Sequence, residues 1–410
     1  VDMLIVGNDK SLYKDQRSTY LISGANSQTQ VWDITYRDSI RSVPTQLNEK
    51  SELWFTADNG SIERRFVVFN PSSASTISLY GYGRNGSTPL SEEVANQDLH
   101  RLTDIDMVIL TTESMREQAD RLAQIHRETD GMTVAVVTQD EVFNEFSSGT
   151  PDATAYRWIM KMLRDRALAS QGKQHEPQCL LLMGDGSFDN RKLLLTSAPN
   201  TLLTYQARNS IAEVEAYATD DYFGYLDDND GLSDISNQMD IAVGRLPVNT
   251  AEEAQQMVDK IIRYIENTNY GNWRTKTCFL ADDGNGVLHT KAANNMATVV
   301  EELQPSLEIN KIFLDSYLQE VTAAGESYPL AKNKFDNLLN DGLIFFNYCG
   351  HASPDHITSE RFLPVAEIVK MTNQNQGLWV LATCEFAKFD AATTSAAETA
   401  VLNPQRSEEH

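Results

Sequence analysis

The chain has 410 residues, with 58 acidic side chains against 34 basic ones and a formal charge of −24. Nucleic acid and anionic membranes are polyanions that such a protein repels, so neither is expected as a partner. No run is long and apolar enough for a membrane-spanning helix, and the length suffices for two or three domains.

Residues 1–102 read as a small β-rich domain, incomplete at its N-terminus. VWDI, LWFTA, RFVVFN and TISLYGYG are short, rich in aromatic and branched residues, and separated by Asn, Gly, Ser and Pro. Nothing in this part looks catalytic.

From Ile105 the pattern becomes α/β, with strand and helix alternating as in a doubly wound sheet. Asp106–Thr111 predicts a strand, Met115, Ala119, Leu122 and Ala123 a helix face ending near Gly131, and Met132–Thr138 a second strand. Thr150-Pro151 predicts the start of a helix whose inner face is Ala155, Ile159, Met162 and Leu163. The strand Cys179–Met183 runs into Gly184-Asp185-Gly186. The third glycine of a dinucleotide fingerprint is missing there, so no nucleotide site is expected.

Residues 216–247 are loop-rich and acidic. Asp227, Asp228 and Asp230 are candidate calcium ligands, weighed against a solvated acidic turn, because EF-hand spacing is absent. Thr250-Ala251-Glu252-Glu253 reads as a capping box opening a helix that closes the segment 103–268. Segment 269–410 begins with strand Lys276–Ala281 and the turn Asp282-Asp283-Gly284. His289 lies on the loop before a helix whose face is Met296, Val299, Val300 and Leu303. A strand at Ile309–Asp315 and a helix at Tyr328–Leu339 follow.

The reactive residues come next. Leu343–Tyr348 and Leu378–Thr383 are apolar runs of buried-strand type, and Val365–Thr372 between them has helical spacing. A β-α-β unit makes the two strands parallel. His351 and Cys384, just past their ends, then share the carboxyl edge where open α/β folds place ligands. A thiol beside an imidazole makes a nucleophile with its base, although a cysteine at a strand end is more often inert packing. The N–H groups of Ala352 and Cys384 are candidate oxyanion donors. The small residues after Cys384 predict a helix starting near the pocket. Glu385 is then either a groove residue or a carboxylate favoured by that helix's dipole. Glu360 is a further groove candidate, and with His356 it lacks the spacing of a metal site. The cysteines Cys179, Cys278, Cys349 and Cys384 show neither finger spacing nor the density of a disulfide framework, so all four read as free thiols. The chain lacks an initiator Met and a signal-peptide pattern, and stops at QRSEEH after an apolar stretch. It is expected to be a fragment or mature form.

NYCGHAS, LATCEFAKFD and SAAETAVLNP, with LLLMGDGSFDNR, YATDDYFGYLDD, MDIAVGRLPVNTAEEAQQMVDKIIRYI and NWRTKTCFLADDGN upstream in the same order, resemble the gingipain-like (family C25) cysteine peptidases, and among them the type IX secretion sortases. The resemblance implies a caspase-like, three-layer αβα peptidase domain with two sub-domains, 103–268 and 269–410, and a His351–Cys384 dyad. It also implies that Asp283 orients His351, where turn chemistry alone leaves Asp282 equally open. Ala352 stands where the family has Gly. His289 falls near the acidic pocket residue of family members specific for basic residues, so a strict Arg/Lys pocket is not expected. Structural calcium is known in the family, and the chemistry needs no cofactor. The implied activity is cleavage of the C-terminal secretion signal from cargo proteins and transfer of the cargo to anionic lipopolysaccharide. It would occur at the outer-membrane surface of a Bacteroidetes cell, with other type IX components as partners. A digestive protease and an inactive peptidase-fold scaffold are the competing readings.

Overall fold

The computed structural model describes residues 3–8, 16–36, 38–59, 62–73, 96–191, 193–194, 202–206, 217–230, 237–323, 325–373 and 375–403. The expected strand TISLYGYG and the terminal QRSEEH lie outside these. Contacts divide the chain into two compact units, 1–95 and 96–410.

The first unit is antiparallel. Its strands are β1 (Met3–Asn8), β2 (Arg17–Ser23), β3 (Gln30–Asp33), β4 (Arg41–Ser42), β5 (Gln46–Leu47), β6 (Glu52–Asp58) and β7 (Arg64–Phe69). They form two sheets, ordered β1-β7-β3-β4 and β2-β6-β5. Strict alternation turns Leu53, Phe55 and Ala57 inward and their neighbours outward. Tyr20, Val31, Phe66 and Val68 complete one core shared by both sheets. Tyr20 stacks on Phe55 at 4.8 Å within it.

The second unit opens with β8 (Met107–Thr111), α1 (Arg116–Thr129), β9 (Val134–Thr138), α2 (Gln139–Phe146), α3 (Thr154–Ala169), β10 (Cys179–Met183), β11 (Ala242–Leu246) and α4 (Ala251–Ile265). The strands make a wholly parallel sheet, β11-β10-β8-β9. Val108 and Leu110 face α2 and α3, whereas Met107 and Ile109 face α1 and α4. Burial on both faces is why β8 reads as a continuous apolar run. Two elements depart from the sequence expectation. α2 begins with a Thr138–Glu141 capping box and uses the chain up to Ser147, so α3 starts at Thr154, past Pro151. β11, inside the stretch read as loop, is an edge strand with little burial and hence a weak apolar signal.

The second sheet follows from β12 (Lys276–Ala281), α5 (Leu288–Leu303), β13 (Glu308–Phe313), the hairpin β14 (Glu320–Thr322) and β15 (Gly325–Ser327), α6 (Pro329–Asp341), β16 (Phe345–Cys349), the short hairpin β17 (Ala352–Ser353) and β18 (His356–Ile357), α7 (Val365–Ile368), β19 (Leu378–Ala382) and α8 (Ala396–Leu402). Its order is β13-β12-β16-β19, all parallel. Phe346 and Tyr348 pack with α6 and α8 on one face, and α5 covers the other. α5 reverses its expected orientation. Met296, Val299 and Leu303 are exposed, and it approaches the sheet through Ala293 and Ala297. Small side chains let the helix lie close, and a count of large apolar residues misses this.

Candidate active site

The β16–β19 register pairs Cys349 with Ala382. Two residues further on, each strand delivers one reactive side chain, His351 and Cys384. The strands separate through Gly350, whose N–H donates to the Ala382 carbonyl at 3.3 Å. A β-carbon on Gly350 would come within 2.3 Å of Asp282 Cβ and 2.5 Å of Tyr348 Oη, so only glycine fits this exit.

His351 is fixed through its backbone. Its N–H donates to Asp282 Oδ2 at 3.0 Å. Its carbonyl accepts from the Thr358 N–H at 2.9 Å and from the Tyr348 hydroxyl. The ring is exposed; Nε2 lies 3.2 Å from Asn285 Nδ2, and the His289 ring meets it edge-on at 5.1 Å. Gly284 supports the ring from below, since a β-carbon there would lie 2.8 Å from His351 Cδ2.

Of the two aspartates at this turn, Asp282 is the one at His351. Asp283, expected to orient the imidazole, instead accepts from the Tyr328 hydroxyl. The two carboxyls lie within 4.8 Å of one another, and Asp282 is the one whose oxygen reaches the backbone N–H of His351. Asp282 is 1% exposed. Burial first, and then Asp283 beside it, pushes its carboxyl above the ordinary range. Glu360 reaches the same place, within 4.8 Å of Asp282 and Asp283. Burial raises its carboxyl too, and its Oε2 has no partner among the described residues. It therefore sits with the two aspartates. His289, expected on a loop, is the second residue of α5 and faces His351.

Cys384 is the exposed one of the four thiols, all of which are free. Burial drives the Cys278 thiol up to about 12, and it raises those of Cys179 and Cys349. The expected helix after Cys384 is absent among the described residues. Glu385 takes φ 52° in a tight turn, where Phe386 N–H donates to the Cys384 carbonyl at 2.6 Å. α8 begins only at Ala396, behind a Ser395–Glu398 capping box. Glu385 therefore caps no helix; it pairs with Lys388 at 3.3 Å. It lines a cavity of about 660 Å³ together with Cys384, Leu381, Phe389 and Tyr217. In the β17–β18 hairpin Thr358 bonds His351, so by the alternation of an antiparallel ladder the Ala352 N–H lies outside the ladder. The Ala352 methyl packs against the core below.

Of the three expected calcium ligands, Asp227 and Asp230 come together and Asp228 points elsewhere. Asp228 pairs with Lys161 at 2.9 Å. Asp240 takes its place beside Asp227 and Asp230. Arg164 already holds Asp227 at 2.7 Å and Asp240 at 2.8 Å, so a guanidinium supplies the positive charge. Sequence reasoning also missed Asn285 and the Tyr348 hydroxyl. Asn285 adopts φ 57° in the turn after Gly284, a conformation asparagine tolerates better than most residues.

Two parallel sheets in one unit, each sandwiched by helices, and an imidazole and an exposed thiol at one sheet edge are the features of a caspase-like α/β peptidase. The chain belongs to peptidase family C25, whose model matches residues 100–407. Comparison with curated proteins gives no match. Among solved structures, the chain is 35% identical to dimeric latent PorU from Porphyromonas gingivalis, over 67% of this chain and 25% of that one, with a TM-score of 0.42. It is 15% identical to the Arg-specific cysteine proteinase gingipain R, over 75% of this chain and 60% of that one, with a TM-score of 0.52. The chain thus spans a quarter of the PorU chain and three fifths of the gingipain chain.

Proposed function

We propose that the protein cleaves polypeptides through a thioester on Cys384 and passes the acyl group to a second nucleophile, as a sortase does. The supporting observation is the Cys349–Ala382 pairing, which brings His351 and Cys384 off adjacent parallel strands at one edge. In this reading His351 takes the thiol proton as Sγ attacks the scissile carbonyl. The N–H groups of Cys384 and Ala352 receive the oxyanion. The C–N bond then breaks, and His351 returns the proton to the leaving amine. Asp282 positions His351, and no cofactor takes part. The acyl group leaves the sulfur for an acceptor or for water.

The motifs shared with the type IX sortases favour the first outcome: removal of a C-terminal secretion signal from cargo and attachment of the cargo to anionic lipopolysaccharide at the outer-membrane surface, beside other components of that machinery. The first test is alkylation of Cys384 by iodoacetamide across pH, in wild type and His351→Ala, with mass spectrometry locating the label. Selective labelling of Cys384, slowed by losing His351, is expected. Labelling no faster than at Cys179 or Cys278 would leave only a scaffold. With a signal-bearing substrate, an amine acceptor should appear in the product; turnover of generic peptides with water alone would instead identify a digestive peptidase.

A further inference from the structure

Asp282, His289 and His351 each offer one ligand atom, and the three atoms lie within 4.8 Å of one another. Two separate observations make this more than a crowd of polar side chains. His289 Nδ1 is buried and has no hydrogen-bond partner among the described residues, a cost that a native structure normally avoids. Beside it Gly284 carries no side chain where one would crowd the cluster: a β-carbon there would lie 2.8 Å from His351 Cδ2, 3.2 Å from His351 Nε2 and 3.6 Å from Asp282 Oδ2. The donor set is two imidazoles and one carboxylate on one exposed and two more buried residues. That is the ligand type and number of an open-sided zinc site.

We infer that Asp282, His289 and His351 bind a divalent ion of the zinc type, and that the bound ion withholds the His351 imidazole from Cys384. Zinc ligands around one ion sit roughly 3.3 Å apart, so the three side chains close in by a rotamer-scale movement. His351 gives up its contact with Asn285 if Nε2 is the ligating atom. Any proton on the ligating nitrogens passes to solvent, and the fourth position stays open to water. A base that is coordinated cannot accept the thiol proton, so the enzyme would be silent with metal and active once a chelator removes it. The consequence for reactivity rests on the dyad reading above; the site itself does not.

The test is a zinc titration of the intact chain in competition with a chromophoric chelator, on wild type, His289→Ala, His289→Phe and Cys384→Ala. The phenylalanine variant keeps a ring at the position should the alanine variant fold poorly. One zinc per chain is expected. Binding should weaken about tenfold or more in both His289 variants and persist in Cys384→Ala. Zinc should also slow alkylation of Cys384 in wild type, reversibly with a chelator, but not in His289→Phe. Loss of binding in Cys384→Ala with none in the His289 variants would assign the metal to the thiol and overturn the inference. Absence of binding, or binding that leaves alkylation unchanged, would also overturn it. Failure of the dyad itself appears separately, as metal-free alkylation that ignores His351→Ala, while the titration still decides the site.

Discussion

Asp282 and Asp283 are adjacent on one turn, yet the fold gives them different work. Asp282 Oδ2 receives the His351 backbone N–H at 3.0 Å, while Asp283 is bound by the Tyr328 hydroxyl. Removing the Asp282 side chain would leave that N–H unpaired and free the loop carrying the imidazole. We expect Asp282→Ala to slow Cys384 alkylation near neutral pH on the order of tenfold or more, and Asp283→Asn to change it little. The reverse ranking would restore Asp283 as the orienting residue. Gly350 makes an independent case, since a methyl there meets Asp282 Cβ at 2.3 Å and Tyr348 Oη at 2.5 Å. Gly350→Ala should therefore cost about 1–3 kcal/mol, read as a lower melting temperature. An unchanged melting temperature would mean that the strand exit relaxes without cost.

The segment after Cys384 is held at both ends of α8. At its C-terminus the buried Lys260 of α4 donates to the Val401 carbonyl at 2.6 Å and the Ala400 carbonyl at 3.4 Å, a cation where the helix dipole favours one. At its N-terminal turn Glu398 hydrogen-bonds Asp185, the two carboxyls being 5% and 4% exposed. Burial pushes Asp185 from 3.8 up to about 7, against the opposing pull of Asn249, the Gly186 N–H and Arg245, and raises Glu398 as well, with Asp390 adding to it. A carboxyl raised in the native state binds its proton more tightly there than when unfolded. Its contribution to stability is therefore complete below 3.8 and lost as pH rises through about 7. The melting temperature should fall between those limits. Asp185→Asn, whose amide can donate to Glu398 as the protonated acid does, should flatten that fall. A variant that tracks wild type across the whole range would remove the pair from the account. None of this was legible in the sequence, where Asp185 appears only in a Gly-x-Gly turn and Glu398 in a run of small residues. The inner strands β8 and β16 were legible because burial on both faces writes a continuous apolar run, whereas β19, expected to be fully buried, is an edge strand with Leu378 and Val380 exposed. Edge strand β11 and the alanine face of α5 were not legible, since neither places large apolar residues inward. The shared edge of His351 and Cys384 followed from two strand ends, whereas the contacts of Asp282 and Asn285 with His351 span 66 or more positions of chain.

For the whole molecule the charge of −24 acts beyond any single contact. Its reach is the screening length, about 10 Å at 0.1 M salt and about 30 Å at 0.01 M. If the acceptor is an anionic lipopolysaccharide, each encounter climbs a repulsive potential before any acyl transfer can occur. Proteins that hold polyanions on basic patches lose affinity as salt rises. Here the sign is opposite, because added salt screens a repulsion. Transfer to an anionic acceptor should therefore speed up between about 0.01 M and about 0.1 M salt, while hydrolysis, whose nucleophile is neutral water, should not. The ratio of conjugated to hydrolysed product, followed by mass spectrometry across that range, isolates the effect because both products arise from the same thioester. A ratio that falls with salt would mean that a local cationic surface captures the acceptor and outweighs the net charge. A ratio that stays flat would point to an uncharged acceptor, since a neutral nucleophile gains nothing from screening.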